Sequence, residues 1–233
     1  MIAGTTRLVG LLGDPVSGSL SPRMQSAAFA ARGLDWAYVA LPVSAAQLEQ
    51  AVRGLVALGF AGANVTAPHK EAVARLCDER EDDSVNTLVI TGGRISGSNT
   101  DREIVAGLEA ERVCLIGAGG AAKALLGALP GDVRTYSRAG AWPPDADGCD
   151  LIVNATPVRD ELLVRPRPDQ AVVDLAYSAD GGETALVAAA REAGCVMVMD
   201  GLEALVRQGA GSFERWTGVA APVDVMRAAV RSA

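Results

Sequence analysis

The sequence has only one histidine and four cysteines among its 233 residues. The cysteines, Cys77, Cys114, Cys149 and Cys195, are far apart and include no C-x-x-C pair, so the sequence contains no zinc-binding pattern. Three of them lie in or beside apolar runs, which favours small core residues in a reducing compartment. We therefore expect no metal site.

Long apolar runs and clusters of positive charge are also missing. No apolar run reaches the roughly 18 residues that a membrane helix needs, and the first residues lack the layout of a signal peptide. The net charge is −7, with 21 Lys and Arg against 28 Asp and Glu. Because nucleic-acid binding depends on basic clusters, we expect a cytoplasmic protein with no nucleic-acid partner and no membrane partner.

The residues that are present indicate an α/β protein. Hydrophobic residues make up 49% of the chain and charged residues 21%, as in a globular protein with a substantial core. The N-terminal pattern alternates strands and helices, which predicts parallel βαβ units followed by a hairpin. The predicted strands are residues 7–12, 36–43, 60–65, 85–90 and 94–98, and the predicted helices are 21–32, 44–59 and 67–76. We expect Ser21 to cap its helix, with Pro22 at the first helical position, and Ser44 to begin a capping box with Gln47.

A polar segment from Asn64 to Lys70 lies where the third predicted strand passes into a helix. Asn64 can donate and accept hydrogen bonds, Thr66 carries a hydroxyl, and Lys70 supplies an ammonium group. Ligands of open α/β sheets bind at the ends of strands. Taken alone, these residues are more typical of a capped turn with a solvated lysine than of a site.

A glycine-rich loop follows the predicted strand 112–116. Its sequence, Gly117-Ala118-Gly119-Gly120-Ala121-Ala122, fits G-x-G-x-x-G/A between a strand and a helix at 121–129. Such glycines allow a tight turn and close backbone approach, and the N-terminus of the helix receives a pyrophosphate. The sequence therefore predicts a dinucleotide site. Further predicted strands are residues 133–136, 150–154, 171–175 and 195–199, and further helices are 183–193, 201–216 and 222–231.

The end of the strand 133–136 favours NADP over NAD. A site for NAD places an Asp or Glu there to bind the ribose 2′-hydroxyl. This chain has Ser137 and Arg138 instead. Because a guanidinium can pair with a 2′-phosphate, we expect NADP as the cofactor and keep NAD as the less favoured alternative; an arginine that merely lies on the surface would also give this pattern.

Several motifs, in this order along nearly the whole chain, resemble those of the shikimate dehydrogenase family. They are Ser19-Leu20-Ser21-Pro22, Asn64-Val65-Thr66-Ala67-Pro68-His69-Lys70, Val85-Asn86-Thr87, Asn99-Thr100-Asp101, the glycine loop, Asn154-Ala155-Thr156-Pro157, and the segment from Gly201 through Gln208 to Gly218.

The resemblance implies a two-domain α/β fold with a cleft between the domains. Residues 1–101 and 201–233 would form the substrate-binding and catalytic domain, and 102–200 a Rossmann-type NADP-binding domain. The reaction would be the reversible, NADP-dependent reduction of 3-dehydroshikimate to shikimate, in the pathway to the aromatic amino acids. The partner would be a small cyclic polyhydroxy carboxylic acid, and the protein a monomer or homodimer.

The resemblance also assigns roles to individual residues. Lys70 would be catalytic, with Asp101 beside it, which agrees with the proton that a developing alkoxide needs. His69, the only histidine, is more plausibly structural than an acid–base group. The residues expected to bind substrate are Ser19, Ser21, Asn64, Thr66, Asn86, Tyr177 and Gln208. The residues expected to bind the cofactor are Gly117, Ala118, Gly119, Gly120, Ala121, Ser137, Arg138, Asn154, Thr156 and Gly201.

The chain departs from the family by being short. The segments from Lys70 to Asn86 and from Asp101 to Gly117 are brief, and Trp142-Pro143-Pro144 stands where a helix usually follows the cofactor-binding arginine. We therefore expect a trimmed Rossmann-type domain. Two alternatives stay open: a dehydrogenase for quinate or an aminoshikimate analogue, and a trimmed homologue that binds a ligand without turnover.

Overall fold

The computed structural model describes residues 2–178 and 182–232. The chain divides into two compact units. Unit 1 comprises the described residues up to Thr100 together with Val206–Ser232, and unit 2 comprises those of Asp101–Leu205. None of the helices formed by these described residues has the length and apolar character needed to cross a membrane.

Strands and helices alternate along most of the chain. The strands are β1 Arg7–Gly13, β2 Trp36–Pro42, β3 Gly62–Val65, β4 Glu79–Arg80, β5 Thr87–Thr91, β6 Arg94–Ser98, β7 Arg112–Ile116, β8 Asp132–Tyr136, β9 Leu151–Asn154, β10 Ala171–Asp174 and β11 Met197–Met199. The helices are α1 Ser21–Ala31, α2 Leu48–Ala57, α3 Lys70–Ala74, α4 Arg102–Val105, α5 Gly120–Leu126, α6 Ala185–Ala193, α7 Gly201–Thr217 and α8 Val223–Arg231.

Unit 1 contains a six-stranded mixed sheet in the order β2-β1-β3-β5-β6-β4. The pairs β1–β2, β1–β3 and β4–β6 are parallel, whereas β5 runs antiparallel to both β3 and β6. The parallel βαβ arrangement of β1 to β3 and the hairpin of β5 and β6 are thus as predicted. The register places Leu11, Asn64 and Thr87 in one row across β1, β3 and β5.

Gly62 in β3 has a packing reason to be glycine. The Nε1 of Trp216 on α7 donates a hydrogen bond of 2.8 Å to the Leu88 carbonyl directly over this glycine. A Cβ at position 62 would collide with that carbonyl oxygen and lie 2.5 Å from Trp216 Nε1. The missing side chain therefore lets α7 approach the sheet at β3 and β5.

Unit 2 contains five parallel strands in the order β11-β10-β9-β7-β8. Alternation along β7 sends Val113 and Leu115 into the core beneath α5, and Cys114 and Ile116 into the core beneath α6. The sequence of a strand that is buried on both faces is a nearly continuous apolar run. This explains why strand 112–116 is predicted from the sequence at its true bounds.

The connection from β8 to β9 is short and contains no helix. Residues 137–150 form turns and loop only, although β8 and β9 flank β7 on opposite sides. The buried loop residues Ala146 and Cys149 fill the core on that face of the sheet. The trimmed Rossmann-type domain predicted from the sequence is therefore present.

Three local predictions need correction. Helix α1 begins at Ser21 itself, and its capping position is Leu20. The predicted helix 67–76 is limited to Lys70–Ala74, because the backbone N–H of His69 bonds the Thr66 carbonyl in a turn first. Ser44 makes no capping bond to the backbone; its Oγ instead bonds Gln47 Oε1 at 3.1 Å before a 3-10 turn.

Candidate functional site

Asn64 lies near the end of β3, and both the oxygen and the nitrogen of its side-chain amide are hydrogen-bonded. Its Oδ1 accepts a hydrogen bond of 2.9 Å from the Tyr38 hydroxyl. Its Nδ2 lies within hydrogen-bonding distance of the Asn86 carbonyl (3.1 Å), Thr87 Oγ1 (3.2 Å) and Ser212 Oγ (2.9 Å). The side chain is 6% exposed, so its orientation is fixed by the fold.

The turn from Thr66 to Lys70 carries the next polar groups. The N–H of Thr66 bonds the Leu12 carbonyl at 2.8 Å, which continues the strand pairing to this residue. His69 is buried, and its Nε2 lies 2.6 Å from the Val43 carbonyl. This supports the structural role expected for His69. Lys70 is half-buried and is the first residue of α3.

Asn86 is fixed through its amide oxygen. The Oδ1 atom accepts hydrogen bonds from Thr87 Oγ1 (2.8 Å), from the Thr100 backbone N–H (2.8 Å) and from Thr100 Oγ1 (3.1 Å). All three residues are at most 3% exposed. The structure thus joins Asn64, predicted to bind substrate, to Asn86 through the shared neighbour Thr87.

The remaining predicted substrate residues of unit 1 lie on α7 and around the start of α1. Ser19 Oγ accepts a hydrogen bond of 3.2 Å from the backbone N–H of Ser21, so these two serines lie together. Gln208 is half-buried on α7. The adjacent Gly209 carbonyl accepts a bond of 2.9 Å from Gln25 Nε2 of α1, which fixes this part of α7 against α1.

Two predicted residues of the active site belong to unit 2. Asp101 is 5% exposed and immediately precedes α4. Tyr177 is half-buried, three residues beyond the end of β10. Gly201 begins α7, where a Cβ would collide with the Ala176 carbonyl; the glycine thus allows the helix to start close to the segment that carries Tyr177.

The glycine loop lies at the carboxyl edge of the unit 2 sheet. Gly117 has φ 128°, and its N–H bonds the Tyr136 carbonyl of β8 at 2.8 Å. A Cβ there would lie 3.0 Å from the Ala155 carbonyl oxygen, whereas a Cβ at Gly119 would meet nothing within 4 Å. The first glycine is therefore needed for packing, while the backbone of the second is open to an approaching ligand.

Asn154 and Thr156 form a hydrogen-bonded loop at the same edge. Asn154 Oδ1 accepts bonds from the N–H (3.0 Å) and Oγ1 (2.7 Å) of Thr156. Asn154 Nδ2 donates to Asp174 Oδ1 at 2.9 Å. The register aligns Ile116 with Asn154 and Asn154 with Asp174, so the ends of β7, β9 and β10 meet here, as expected for parallel strands.

Asp174 anchors this loop and has an altered acidity. It is fully buried; its Oδ1 also accepts from the Ala176 N–H at 3.0 Å, and its Oδ2 accepts from Thr184 Oγ1 at 2.5 Å. Burial raises the pKa of Asp174 above its ordinary value, against the opposing effect of hydrogen bonds from Thr184, Ala176 and Asn154. Desolvation of the carboxylate thus outweighs the donors that face it.

Ser137 and Arg138 begin a tight turn after β8. The Ser137 N–H bonds the Ala141 carbonyl at 3.0 Å and closes the turn. The Arg138 guanidinium carbon lies 5.7 Å from the centre of the Trp142 ring, and one guanidinium nitrogen lies 3.8 Å from a Glu161 carboxylate oxygen. The arginine side chain is 72% exposed, so it presents its charge to solvent.

The sequence did not reveal two residues that organise these clusters. Ser212 bonds Asn64, which lies 148 residues away in the sequence. The only sequence signal for it was a hydroxyl four positions after Gln208, in a helix that also carries charged residues such as Arg207 and Glu214. Asp174 was visible as a carboxylate at the end of an apolar strand, a position where polar residues often serve a site.

Comparisons with known proteins give one consistent result. Residues 11–88 match the family model described as shikimate dehydrogenase substrate binding domain, and residues 201–231 match the model described as shikimate 5'-dehydrogenase C-terminal domain. The NADP(+)-dependent shikimate dehydrogenase of Anaeromyxobacter sp. (strain Fw109-5) is 41% identical, covering 99% of this chain and 98% of the relative. That alignment extends over 277 positions against 233 residues here, so at least 44 positions are gaps in this chain.

Solved structures agree with these sequence matches. A crystal structure of a shikimate dehydrogenase in complex with NADP+ has a TM-score of 0.89 at 32% identity, covering 100% of this chain and 97% of the other. The shikimate 5-dehydrogenase of Thermus thermophilus, in complex with NADP(H) and shikimate, has a TM-score of 0.87 at 28% identity, covering 97% of this chain and 99% of the other.

Proposed function

The chain belongs to the shikimate dehydrogenase family, as its motifs indicated, and we propose that it catalyses the reversible, NADP-dependent reduction of 3-dehydroshikimate to shikimate. The observation that carries the proposal is the 41% identity to an NADP(+)-dependent shikimate dehydrogenase over 99% of the chain. The protein would then be an oxidoreductase of the shikimate pathway to the aromatic amino acids.

The proposed chemistry needs one hydride and one proton. NADPH, when bound, supplies the hydride to the carbonyl carbon of the substrate. The oxygen that becomes the hydroxyl takes a proton, and we assign its delivery to Lys70, at the first position of α3. Asp101 is the carboxylate assigned to assist Lys70 and to accept a hydrogen bond from a substrate hydroxyl. In the reverse direction Lys70 takes the proton back.

The substrate is rich in hydroxyls and carries one carboxylate, which suits neutral polar partners. We assign the carboxylate to the hydroxyls of Ser19 and Ser21, which the bond from the Ser21 N–H to Ser19 Oγ holds together, with Tyr177 as a further donor. The residues assigned to the ring hydroxyls are Asn64, Thr66, Asn86 and Gln208. Hydroxyl and amide groups can both donate and accept, as a polyol requires.

The residues of unit 2 fit a dinucleotide with a 2′-phosphate. A pyrophosphate needs backbone free of side chains, and a Cβ at Gly119 would meet open space. The groups assigned to the cofactor are the loop from Gly117 to Ala121, Ser137, Arg138, Asn154, Thr156 and Gly201. Of these, the exposed Arg138 supplies the positive charge that favours NADP over NAD.

We propose that the protein acts in the cytoplasm as a monomer or homodimer. The four cysteines are free thiols, which is the state that a reducing compartment maintains. The molar mass in solution, measured by light scattering after gel filtration, distinguishes the two assembly states; a larger assembly would contradict both.

The direct test is oxidation of shikimate by the purified protein, followed at the nicotinamide absorbance band. We expect turnover with shikimate and NADP+, with a lower kcat/KM when NAD+ replaces NADP+. Quinate and aminoshikimate serve as competing substrates in the same assay. A higher kcat/KM with either would assign the protein to that substrate, and no turnover with any combination would exclude an enzyme of this class.

A further inference from the structure

A single hydroxyl on α7 lies at the centre of the buried polar cluster of unit 1. Ser212 Oγ lies 2.9 Å from Asn64 Nδ2, 2.9 Å from Thr87 Oγ1 and 3.2 Å from Thr100 Oγ1. Ser212, Thr87 and Thr100 are fully buried. Buried polar groups of this kind cost free energy unless each is hydrogen-bonded, so the cluster depends on all its members.

The Ser212 hydroxyl has more polar neighbours than it can bond at one time. A serine has one proton to donate and two lone pairs to accept, and Ser212 Oγ has a fourth neighbour, the Gln208 carbonyl, at 3.2 Å. The amide of Asn64 is used in the same way, because its two Nδ2 protons face three acceptors. These bonds fix the side chains of Ser212 and Asn64 relative to each other. Among the described residues only Tyr38 bonds Asn64 Oδ1, so the second lone pair of this oxygen can accept a hydrogen bond from a ligand.

The cluster connects three residues that we assign to substrate. Ser212 is bonded to the carbonyl of Gln208 on the preceding turn of α7. Thr87, which contacts Ser212, donates to Asn86 Oδ1 at 2.8 Å. The third connection is the bond from Asn64 Nδ2. One hydroxyl thus links the turn of α7 that carries Gln208 to the ends of β3 and β5.

We propose that Ser212 is a positioning residue for the substrate: its hydroxyl fixes Gln208 relative to Asn64 and Asn86. The proposal rests on the proposed function, because it is this substrate that those three residues are assigned to bind. Ser212 itself touches no reacting atom. Its effect is on the spacing of groups that bind the ring hydroxyls, so it acts on substrate affinity more than on cofactor affinity.

The test compares Ser212→Ala and Ser212→Cys with the wild-type enzyme. Alanine removes the hydroxyl, and cysteine keeps a side chain of similar shape whose thiol bonds weakly. We expect each to raise the KM for shikimate about tenfold, because a few hydrogen bonds are lost or displaced. The KM for NADP+ should stay within about twofold, which a general loss of structure would not produce.

Ser98→Ala is the matched control. Ser98 is 5% exposed on β6, opposite Thr87 in the sheet, and its Oγ has no hydrogen-bond partner among the described residues. Its removal deletes a buried hydroxyl from the same region without touching the cluster. We expect both KM values of this variant to match the wild type, and its thermal unfolding monitors any loss of fold.

The outcomes separate this proposal from the proposed function. Absence of turnover in the wild type would refute the function, and with it the role of Ser212. Wild-type turnover with an unchanged KM for shikimate in Ser212→Ala and Ser212→Cys would overturn the positioning role alone. An equal rise in both KM values, or the same rise in Ser98→Ala, would also overturn it. Titration calorimetry with shikimate checks the affinity change without turnover.

Discussion

Replacing Arg138 by alanine tests the choice of cofactor. The guanidinium lies after β8 in a turn closed by the bond from Ser137 N–H to the Ala141 carbonyl, so the backbone of the variant is expected to keep its course. The change removes one positive charge and its hydrogen-bond donors. Only a cofactor with a 2′-phosphate should respond to that loss, since the ribose 2′-hydroxyl of NAD carries no charge.

The size of the effect follows from the surroundings of Arg138. A hydrogen bond to a charged group contributes about 1.5–3 kcal/mol. The side chain is 72% exposed and Glu161 lies 3.8 Å from it, so solvent and a competing carboxylate both weaken the attraction for phosphate. We therefore take the lower end, about 1.5–2 kcal/mol, which corresponds to a loss of roughly 10- to 30-fold in affinity.

The assay is kcat/KM for NADP+ and for NAD+ at saturating shikimate. We expect Arg138→Ala to lower the value for NADP+ by about tenfold or more and to leave that for NAD+ within about twofold. Arg134→Ala is the control, because Arg134 is an exposed arginine on β8, four residues before Arg138, with no assigned cofactor role. An unchanged ratio of NADP+ to NAD+ activity in Arg138→Ala would show that Arg138 does not select the cofactor.

Three further predictions concern catalysis, packing and pH. Lys70→Ala should lower kcat by about 10²- to 10⁴-fold, the usual range for a positioned acid–base group, with a smaller change in KM; a variant that keeps most of its kcat in the steady-state assay would contradict this. Gly62→Ala should lower the free energy of unfolding in urea by at least about 2 kcal/mol, because its Cβ displaces Trp216 from the Leu88 carbonyl. A much smaller loss would show that α7 can shift to accommodate the methyl group. Burial raises the pKa of Asp174. The stability of the wild type relative to Asp174→Asn should therefore be greatest below the ordinary carboxyl pKa and fall as the pH rises through the raised value. Urea unfolding at a series of pH values measures this difference, and a difference that grows with pH would contradict the prediction.

Much of the fold could be predicted because its signals are local. The strand β7 is a continuous apolar run and is followed by glycines, so its bounds and the start of α5 are visible in the sequence. The strand β4 was missed, since Glu79 and Arg80 are polar and exposed and lie between the predicted helix 67–76 and the predicted strand 85–90. Two charged residues pair with β6 only because the chain returns to that edge.

The candidate site divides in the same way. Residues such as Lys70 and Asn86 belong to contiguous motifs, and a motif can be recognised from its own letters. The role of Ser212 depends on Asn64, 148 positions away in sequence, and an alanine would satisfy the helix equally well. Such a residue is identified only when the hydrogen bonds of the folded chain are known.

The most direct test of the proposed reaction is the fate of a deuterium atom placed on the carbon of shikimate whose hydroxyl is oxidised. The purified protein is incubated with this shikimate and NADP+, and both products are analysed by mass spectrometry. We predict that 3-dehydroshikimate and NADPH form in equal amounts and that the deuterium is found on the nicotinamide. Formation of 3-dehydroshikimate with no label on the cofactor, or no product at all, would show that the protein does not transfer this hydride to NADP+.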